Sequence, residues 1–154
     1  MNQKNSKELE QKIVQIDRVA RVTAGGKRLQ FRVCVVVGDK KGKVGMGVAK
    51  ASEIPSAVEK AVRWAKKRLI SVPIINDTIP HLIKTKFGAA EILLKPAPPG
   101  TGVIAGGVIR TVAELAGIKN LVGKILRSEN KINNLKAVFL AFQRLKRKTE
   151  KEAG

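Results

Sequence analysis

Residues 38–50 read Gly38-Asp-Lys-Lys-Gly-Lys-Val-Gly-Met-Gly-Val-Ala-Lys50, and the first half of the chain can be interpreted outward from them. The Asp39-Lys-Lys-Gly42 segment is typical of a tight turn, because glycine reaches positive φ without steric cost. Lys43–Ala51 then predicts a strand that contains two glycines, Gly45 and Gly47. Phosphate groups can approach such a lysine-rich segment and its backbone N–H groups closely, so we expect a polyanionic partner.

The sequence on either side completes a meander followed by a helix. Upstream, apolar and polar residues alternate from Leu29 to Val37, and the Gly25-Gly26 pair predicts a hairpin turn to an earlier strand that ends near Thr23. Downstream, Ser52 is a plausible N-cap of an amphipathic helix that reaches about Ile70. The apolar stripe of this helix comprises Ile54, Val58, Ala61, Val62, Ala65 and Leu69. The predicted order is therefore β-β-β-α, with the helix packed on one face of the sheet.

The composition favours a nucleic-acid partner and a folded chain. The 154 residues include 31 Lys+Arg and 12 Asp+Glu, which gives a formal charge of +19. A hydrophobic fraction of 44% supports a real core and argues against a disordered basic protein. The single cysteine, Cys34, and the single histidine, His81, exclude an intrachain disulfide and a Cys/His zinc site. We expect Cys34 to be a small core residue, and we expect no metal and no cofactor.

No run of 18 apolar residues is present, so we expect no transmembrane span and no membrane partner. The first eight residues are polar and lack the apolar segment of a signal peptide. They are predicted to form a flexible arm, and the protein is expected to work in the compartment where it is made.

A second domain is predicted to begin around Ser71–Pro73, with short strands near 71–76, 80–86 and 90–95. A Pro/Gly loop from Lys95 to Gly107 then leads into a helix for which Gly117 is a natural C′ residue. The buried face of that helix is predicted to comprise Val108, Val112, Leu115 and Ala116. Residues 120–126 weakly indicate a strand, and a last helix starts near Lys131 and ends in basic residues up to Lys148.

The meander places a phosphate-binding site at one end of the sheet. A strand of nine residues spans ~30 Å, so the Gly25–Arg28 turn and the Asp39–Lys43 turn lie at opposite ends. The third strand runs back, so Lys50 and the helix N-terminus return to the Gly25–Arg28 end. Glycines, cations and a helix N-terminus together can dock a phosphate backbone. The alternative interpretation is a glycine-rich hairpin with solvated lysines.

The basic helix face formed by Lys60, Arg63, Lys66 and Lys67 is either a second contact surface or a solvated face. Because the chain has no Tyr and only five other aromatic residues, we expect recognition of folded or double-stranded RNA rather than base stacking. The predicted RNA-binding residues are Arg18, Arg21, Gly25, Gly26, Lys27, Arg28, Lys40, Lys41, Lys43, Gly45, Gly47, Lys50, Arg63 and Lys67.

An enzymatic function is the weaker alternative. The Pro98–Gly102 loop before a helix could cradle a nucleotide phosphate, but the chain contains no Gly-x4-Gly-Lys-Ser/Thr motif. The acids of the second half, Asp77, Glu91, Glu114 and Glu129, are not accompanied by a convergent His, Cys or carboxylate pair. We therefore predict no catalytic residues.

Ordered motifs occur along both halves of the chain. In the first half they are Arg18-Val19, Gly25-Gly26-Lys27-Arg28, Phe31, Val36-Val37-Gly38-Asp39, Gly42-Lys-Val-Gly-Met-Gly47, Lys50-Ala51 and Ile54-Pro-Ser-Ala57. In the second half they are Lys95-Pro-Ala, Pro99-Gly-Thr-Gly-Val-Ile-Ala-Gly-Gly107, Arg110, Ala116-Gly-Ile-Lys119 and Asn130…Asn133. In this order they resemble the small-subunit ribosomal protein five family of bacterial and plastid type, and the resemblance covers about residues 8–147.

The resemblance implies an α+β protein of two small domains. Residues 9–70 would form a β-β-β-α domain similar to the double-stranded-RNA-binding fold, and residues 71–147 an α/β two-layer domain whose superfold also occurs in small-molecule kinases. Residues 1–8 would be an arm and 148–154 a basic tail.

The resemblance also implies a structural role in the small ribosomal subunit, in a bacterial cytoplasm or a plastid stroma. The implied partners are small-subunit rRNA and ribosomal proteins four and eight, near the decoding side and the mRNA path. The Gly25–Arg28 turn would contact rRNA. The implied protein interface, toward protein four, comprises Gly100, Gly102, Gly106, Gly107 and Arg110. A free double-stranded-RNA-binding protein or chaperone, and a nucleotide-dependent enzyme, remain the alternatives.

Overall fold

The part of the chain that the structure describes, residues 9–145 of a computed structural model, forms two four-stranded sheets and three helices. The arm predicted at 1–8 and the basic tail predicted at 148–154 lie outside the described residues. The predicted α+β class is confirmed.

The first sheet has the strand order β1-β2-β3-β4 and is antiparallel throughout. The second has the order β5-β6-β8-β7, in which β7 is parallel to β8. The strands are β1 (Glu10–Thr23), β2 (Gly26–Gly38), β3 (Lys43–Ala51), β4 (Ile70–Ser71), β5 (Ile83–Phe87), β6 (Ala90–Pro96), β7 (Val103–Ile104) and β8 (Leu121–Arg127). The helices are α1 (Ile54–Lys67), α2 (Gly107–Ala116) and α3 (Lys131–Arg144).

Strand β2 is buried on both faces over its second half. Val33, Val35 and Val37 join the core beneath α1, whereas Cys34 and Val36 join the larger core of α2, α3 and the second sheet. The alternation predicted for this strand therefore extends only to Arg32, because the second half of the chain covers the other face from Cys34 onward. Burial also raises the pKa of the Cys34 thiol to about 11, in keeping with the predicted core role.

Helix α1 lies unusually close to the first sheet. A Cβ atom on Gly45 would collide with the carbonyl oxygen of Ala65, and one on Gly47 would collide with that of Ala61. The helix also has small residues where it faces the sheet, because its fully buried positions are Ala57, Ala61 and Ala65. The predicted stripe missed Ala57 and included Ile54, which is 37% exposed.

Both predicted ends of α1 need correction. The N-cap residue is Glu53 rather than Ser52, and its side chain makes no capping hydrogen bond. The helix ends at Lys67, because Ile70 leaves the helical path to pair with Val44 as part of β4. Of the strand predicted near 71–76, only residue 71 lies in a regular strand; Ile75 and Thr78 form an isolated bridge.

The second half follows the sequence prediction more closely. The four residues predicted to face inward from α2 are all buried, and Gly117 ends this helix in the left-handed region with φ of 89°. The strand weakly indicated at 120–126 is β8. Asn130 caps α3, because its side-chain oxygen accepts hydrogen bonds from the backbone N–H groups of Ile132 and Asn133 at 3.0 and 3.2 Å. No helix within residues 9–145 is long and apolar enough to cross a membrane.

The close approach of α1 predicts that Gly47→Ala destabilises the protein. The added methyl group has to push α1 away from the sheet, and overpacking of this kind costs about 1–3 kcal/mol or more. Urea unfolding of the two proteins would measure the difference. Gly25→Ala is the matched control, because no heavy atom lies within 4 Å of a Cβ at that position. Equal losses in the two variants would contradict the packing argument.

Candidate RNA interface

The β1–β2 hairpin extends beyond the body of the first sheet as a two-stranded finger. Strand β3 pairs with β2 only as far as Phe31, whereas β1 and β2 continue through five further register pairs to Thr23 and Gly26. At ~3.3 Å per residue the finger projects ~17 Å past the end of β3. Val22 and Leu29 on this finger are 76% and 54% exposed, so its surface is solvent-facing even at apolar positions.

Three of the predicted RNA-binding cations lie on the finger, at positions 21, 27 and 28, and Arg18 lies at its base opposite Phe31. Arg18 and Arg28 are exposed; for Arg21 and Lys27 the structure describes the backbone only. The register places positions 21 and 28, both arginine, directly opposite each other.

The tip of the finger is open to close approach. A Cβ placed on Gly25 or Gly26 would have no heavy atom within 4 Å, and Gly26 has a φ of 127°. A side chain at Gly26 would be strained, so glycine is required there by the turn itself. The tip thus presents backbone without side-chain cover, as the predicted phosphate contact needs.

Lys50 does not lie beside the tip, which corrects one part of the sequence prediction. Its register partner is Arg32, four residues and ~13 Å along β2 from Arg28. The N-terminus of α1 lies at this same base of the finger, and its N-cap position holds the carboxylate of Glu53. The predicted single dock is therefore two separate places, the tip and the base.

A polar cluster braces the base of the finger. Arg32 donates a hydrogen bond to Asp17 Oδ2 at 2.7 Å, and the amide nitrogen of Gln15 lies 2.7 and 2.8 Å from the two carboxylate oxygens. Hydrogen bonds from Gln15 and then Arg32 hold the pKa of Asp17 below its usual range. This cross-strand arrangement fixes the two strands at the point where they leave the sheet. The sequence prediction missed it, although Asp17 and Arg32 were both visible as polar interruptions.

The turn that contains Lys40 and Lys41 is held against the second half of the chain. The backbone N–H groups of Lys40 and Gly42 donate to the carbonyl oxygens of Leu115 and Ala116 at 2.9 and 2.8 Å. The Lys40 ammonium group pairs with Glu10 at 3.1 Å. The backbone of this turn is thus engaged in the domain junction, while Lys41 and Lys43 are exposed to solvent.

Gly45 and Gly47 are buried, which gives them a packing role. Helix α1 covers the face of the sheet toward which a Cβ at either position would point. Their place in the RNA contact set stays a prediction. Arg63 and Lys67 are exposed on the opposite face of α1, together with Lys60 and Lys66. That face is a second basic surface, separate from the finger.

The glycine-rich loop of the second half lies at the surface and is held by a hydrogen bond to a buried side chain. The backbone N–H of Gly102 donates to the buried Asn120 side chain at 2.9 Å. The hydroxyl and the backbone N–H of Thr101 both donate to the carbonyl oxygen of Pro98, which forms a turn. A Cβ on Gly100, Gly102 or Gly106 would meet no heavy atom within 4 Å. Gly107, with φ of 50°, begins α2 just after Gly106 at the N-cap.

Arg110 stands one turn into α2 and connects this loop to the first sheet. Its guanidinium group pairs with Glu114 at 3.1 Å, and Glu114 also pairs with Lys12 of β1 at 3.1 Å. Hydrogen bonds from Lys12 and then Arg110 hold the pKa of Glu114 below its usual range. Sequence spacing could have suggested the Arg110–Glu114 pair at i,i+4, but the link to Lys12 spans 102 residues and had no local signal.

Two of the four acids considered for catalysis, Glu91 and Glu114, are engaged in ion pairs. Glu91 pairs with Lys84 at 2.9 Å and with Arg127 at 3.6 Å, and Glu114 is engaged as described. The backbone carbonyl of Asp77 accepts hydrogen bonds from Lys119 and Asn120. Among residues 9–145 no group of three or more His, Cys, Asp or Glu side chains could hold a metal ion.

Comparison with known proteins places both halves of the chain in one family. Residues 9–73 match the family model of the ribosomal protein S5 N-terminal domain, and residues 85–153 match that of the ribosomal protein S5 C-terminal domain. The fold and the basic finger therefore define a two-domain protein of ribosomal type.

Relatives from bacteria and a plastid identify the family more closely. A small ribosomal subunit protein uS5 of Thermotoga neapolitana is 55% identical over 126 residues, covering 82% of this chain and 71% of the relative. That of Chloroflexus aurantiacus is 50% identical over 138 residues, covering 90% and 78%. The uS5c protein of Rhodomonas salina is 49% identical over 138 residues, covering 89% and 82%. The chain belongs to the ribosomal protein S5 (uS5) family.

The Lys12–Glu114–Arg110 cluster predicts an acid-dependent loss of stability. Because the pKa of Glu114 is lowered in the folded state, its contribution is present above the ordinary value of 4.5 and is lost as pH falls through the folded pKa. Glu114→Gln should lower the free energy of unfolding at pH 7 by at most about 1 kcal/mol, since exposed ion pairs are screened.

Thermal melts at pH 7 and pH 3 would test this expectation. The difference between Glu114→Gln and the parent protein should shrink at the lower pH, where the parent carboxyl group is protonated. Glu129→Gln, at an exposed position before α3, is the control and should show a smaller difference at pH 7. A Glu114→Gln deficit that persists undiminished at pH 3 would assign the loss to something other than the carboxylate charge.

Proposed function

We propose that the protein is a non-catalytic structural component of the small ribosomal subunit that binds its rRNA. Membership of the uS5 family carries this proposal, because relatives that are 49–55% identical over more than four fifths of the chain are named small ribosomal subunit proteins. The charge of +19 and the projecting basic finger are independent support, since both suit a polyanion.

The finger is the proposed rRNA contact. It is a two-stranded projection with a bare glycine tip, and it is braced at its base by Asp17 and Arg32. Such a shape can enter a groove of folded RNA, where the cations Arg18, Arg21, Lys27 and Arg28 would neutralise phosphates on either side. Recognition would follow RNA shape and backbone, because few aromatic side chains are available for base stacking.

Further cations extend the proposed contact along the first domain. Lys50 lies at the base of the finger, Arg63 and Lys67 lie on the outer face of α1, and Lys41 and Lys43 lie at the far end of the sheet. Lys40 is partly neutralised by Glu10, so we expect its share of RNA binding to be smaller. Together these groups surround the first domain with positive charge.

The second domain is proposed to contact neighbouring ribosomal proteins. Its exposed glycine loop at Gly100, Gly102, Gly106 and Gly107, next to Arg110 with 63% of its side chain exposed, offers a surface free of bulky groups. By family resemblance the neighbours would be ribosomal proteins four and eight, near the decoding side and the mRNA path. The compartment would be a bacterial cytoplasm or a plastid stroma, as both kinds of relative exist.

Sedimentation of the tagged protein, expressed in its own host, tests the proposal directly. After a wash at moderate salt, a ribosomal component should migrate with small subunits through a sucrose gradient in about equal molar amount. Recovery at the top of the gradient, with duplex RNA still bound in a separate assay, would instead support a free double-stranded-RNA-binding protein.

Reversing two positive charges on the finger should weaken the binding of rRNA. Lys27→Glu combined with Arg28→Glu should weaken binding to small-subunit rRNA by at least about tenfold, because each lost phosphate contact removes a counterion-release contribution. The circular-dichroism melt should stay close to that of the parent, since position 28 is exposed and outside both cores. Filter binding at fixed salt would measure the affinity.

A matched double variant controls for the change of net charge. Lys86→Glu combined with Lys124→Glu makes the same change at exposed positions of the second sheet, far from the finger. It should weaken binding much less than the finger variant. If both double variants lost the same affinity for rRNA, the finger would contribute only through the overall charge and would not be a specific contact.

A further inference from the structure

A concave groove of about 570 Å³ opens between the two halves of the chain, away from the finger tip. Its floor is apolar and is formed by Met46, Val48 and Ile70 of the first sheet together with Phe139 of α3. Trp64 of α1 forms one wall. The volume of the groove lies within the range of about 300–1,000 Å³ that is typical of ligand sites. We name it the Trp64 groove.

The rim of the Trp64 groove is positively charged. Arg68 after α1 and Lys136 of α3 both line it, and none of its lining residues is acidic. The Arg68 guanidinium lies 5.1 Å from the centre of the Trp64 ring, and Lys67 Nζ lies 5.6 Å from it. An apolar floor beneath a cationic rim matches a ligand with a flat uncharged part and an anionic part.

Trp64 is the feature that the core does not explain. It is 48% exposed although it is the largest side chain on α1, whose buried face consists of alanines. Exposed aromatic rings and arginine planes are the groups on which RNA-binding proteins stack unpaired bases. Trp64 and Arg68 together provide such a platform.

The open edge of β3 lies along the same groove. Strand β4 pairs only with Lys43 and Val44, and within residues 9–145 no strand pairs with the outer edge of β3 beyond them. An edge strand turns alternate N–H and C=O groups outward. Met46–Val48 can therefore offer hydrogen bonds to the polar edge of a base that lies on the apolar floor.

We propose that the Trp64 groove binds an unpaired RNA nucleotide, with its base stacked on the Trp64–Arg68 platform and its phosphate near Lys136. This inference rests on the proposed function and adds to it a site for a single extruded nucleotide, where backbone recognition alone had been expected. It also assigns a use to an aromatic residue that the sequence prediction left outside the RNA contact.

An acidic peptide that adds a strand to β3 is the competing occupant. The charge of the rim suits either ligand, and the open edge alone would favour the peptide. The wide cavity and the exposed Trp–Arg pair favour the nucleotide, because strand addition depends on main-chain hydrogen bonds and pockets for alternate side chains rather than on a stacking platform.

Trp64 is the single tryptophan of the chain, so its fluorescence reports on this groove directly. The full-length protein would be titrated with two RNA hairpins, one fully paired and one with a single bulged adenosine. The bulged hairpin should quench Trp64 strongly and bind about tenfold more tightly, because a stacked base contributes measurably to affinity. Fluorescence anisotropy of labelled hairpins would give both affinities independently of Trp64.

Variants separate the groove from the rest of the RNA interface. Trp64→Leu should reduce the affinity for the bulged hairpin to that for the paired one and leave the paired affinity unchanged, and Trp64→Phe should restore part of the preference. Arg68→Gln should weaken the preference as well. Lys124→Gln is the charge-matched control on the second sheet, and it should keep the preference intact.

Three outcomes would overturn the inference, and they are distinguishable. Equal affinity for both hairpins with unchanged Trp64 fluorescence removes the nucleotide site and leaves the proposed function standing. Quenching by an oligoglutamate peptide, without any preference for the bulge, assigns the groove to a peptide. If neither hairpin nor small-subunit rRNA binds in the anisotropy assay, the proposed function itself fails and the inference fails with it.

Discussion

Strand β2 depends on being covered from two sides, and most of the architecture follows from that requirement. Its residues from Val33 to Val37 are almost completely inaccessible to solvent. One face of the strand packs in the core beneath α1, and the other face packs in the core that includes α2 and α3. The first half of the chain therefore cannot bury this strand alone, and the two predicted domains share a continuous apolar core along Cys34 and Val36.

Close backbone contacts join the two halves next to the doubly covered strand. The Asp39–Gly42 turn at the end of β2 donates two backbone hydrogen bonds into the C-terminus of α2. A Cβ atom at position 117 would collide with the carbonyl oxygen of Lys40, so only glycine fits there. The ion pair of Lys12 with Glu114 also joins the two halves at the surface. The finger thus leaves the sheet beside a junction that both halves of the chain form.

Ion pairs with Lys and Arg side chains engage four of the acids. These are Glu10, Asp17, Glu91 and Glu114. The finger and the outer face of α1 carry mainly basic side chains, and the rim of the Trp64 groove has the same sign.

The local elements, the charge and the family could all be inferred from the order of the residues. Period-two alternation, the Gly25-Gly26 turn and the Gly117 cap involve only a few neighbouring residues, and the turn and the cap were predicted correctly. Which faces are covered emerged only from the folded chain. It showed that Cys34 and Val36 are buried, that Gly45 and Gly47 serve the packing of α1, and that Lys50 lies at the base of the finger. The reason is that local patterns fix backbone conformation within a few residues, whereas burial of a strand face depends on contacts with segments that lie dozens of residues away.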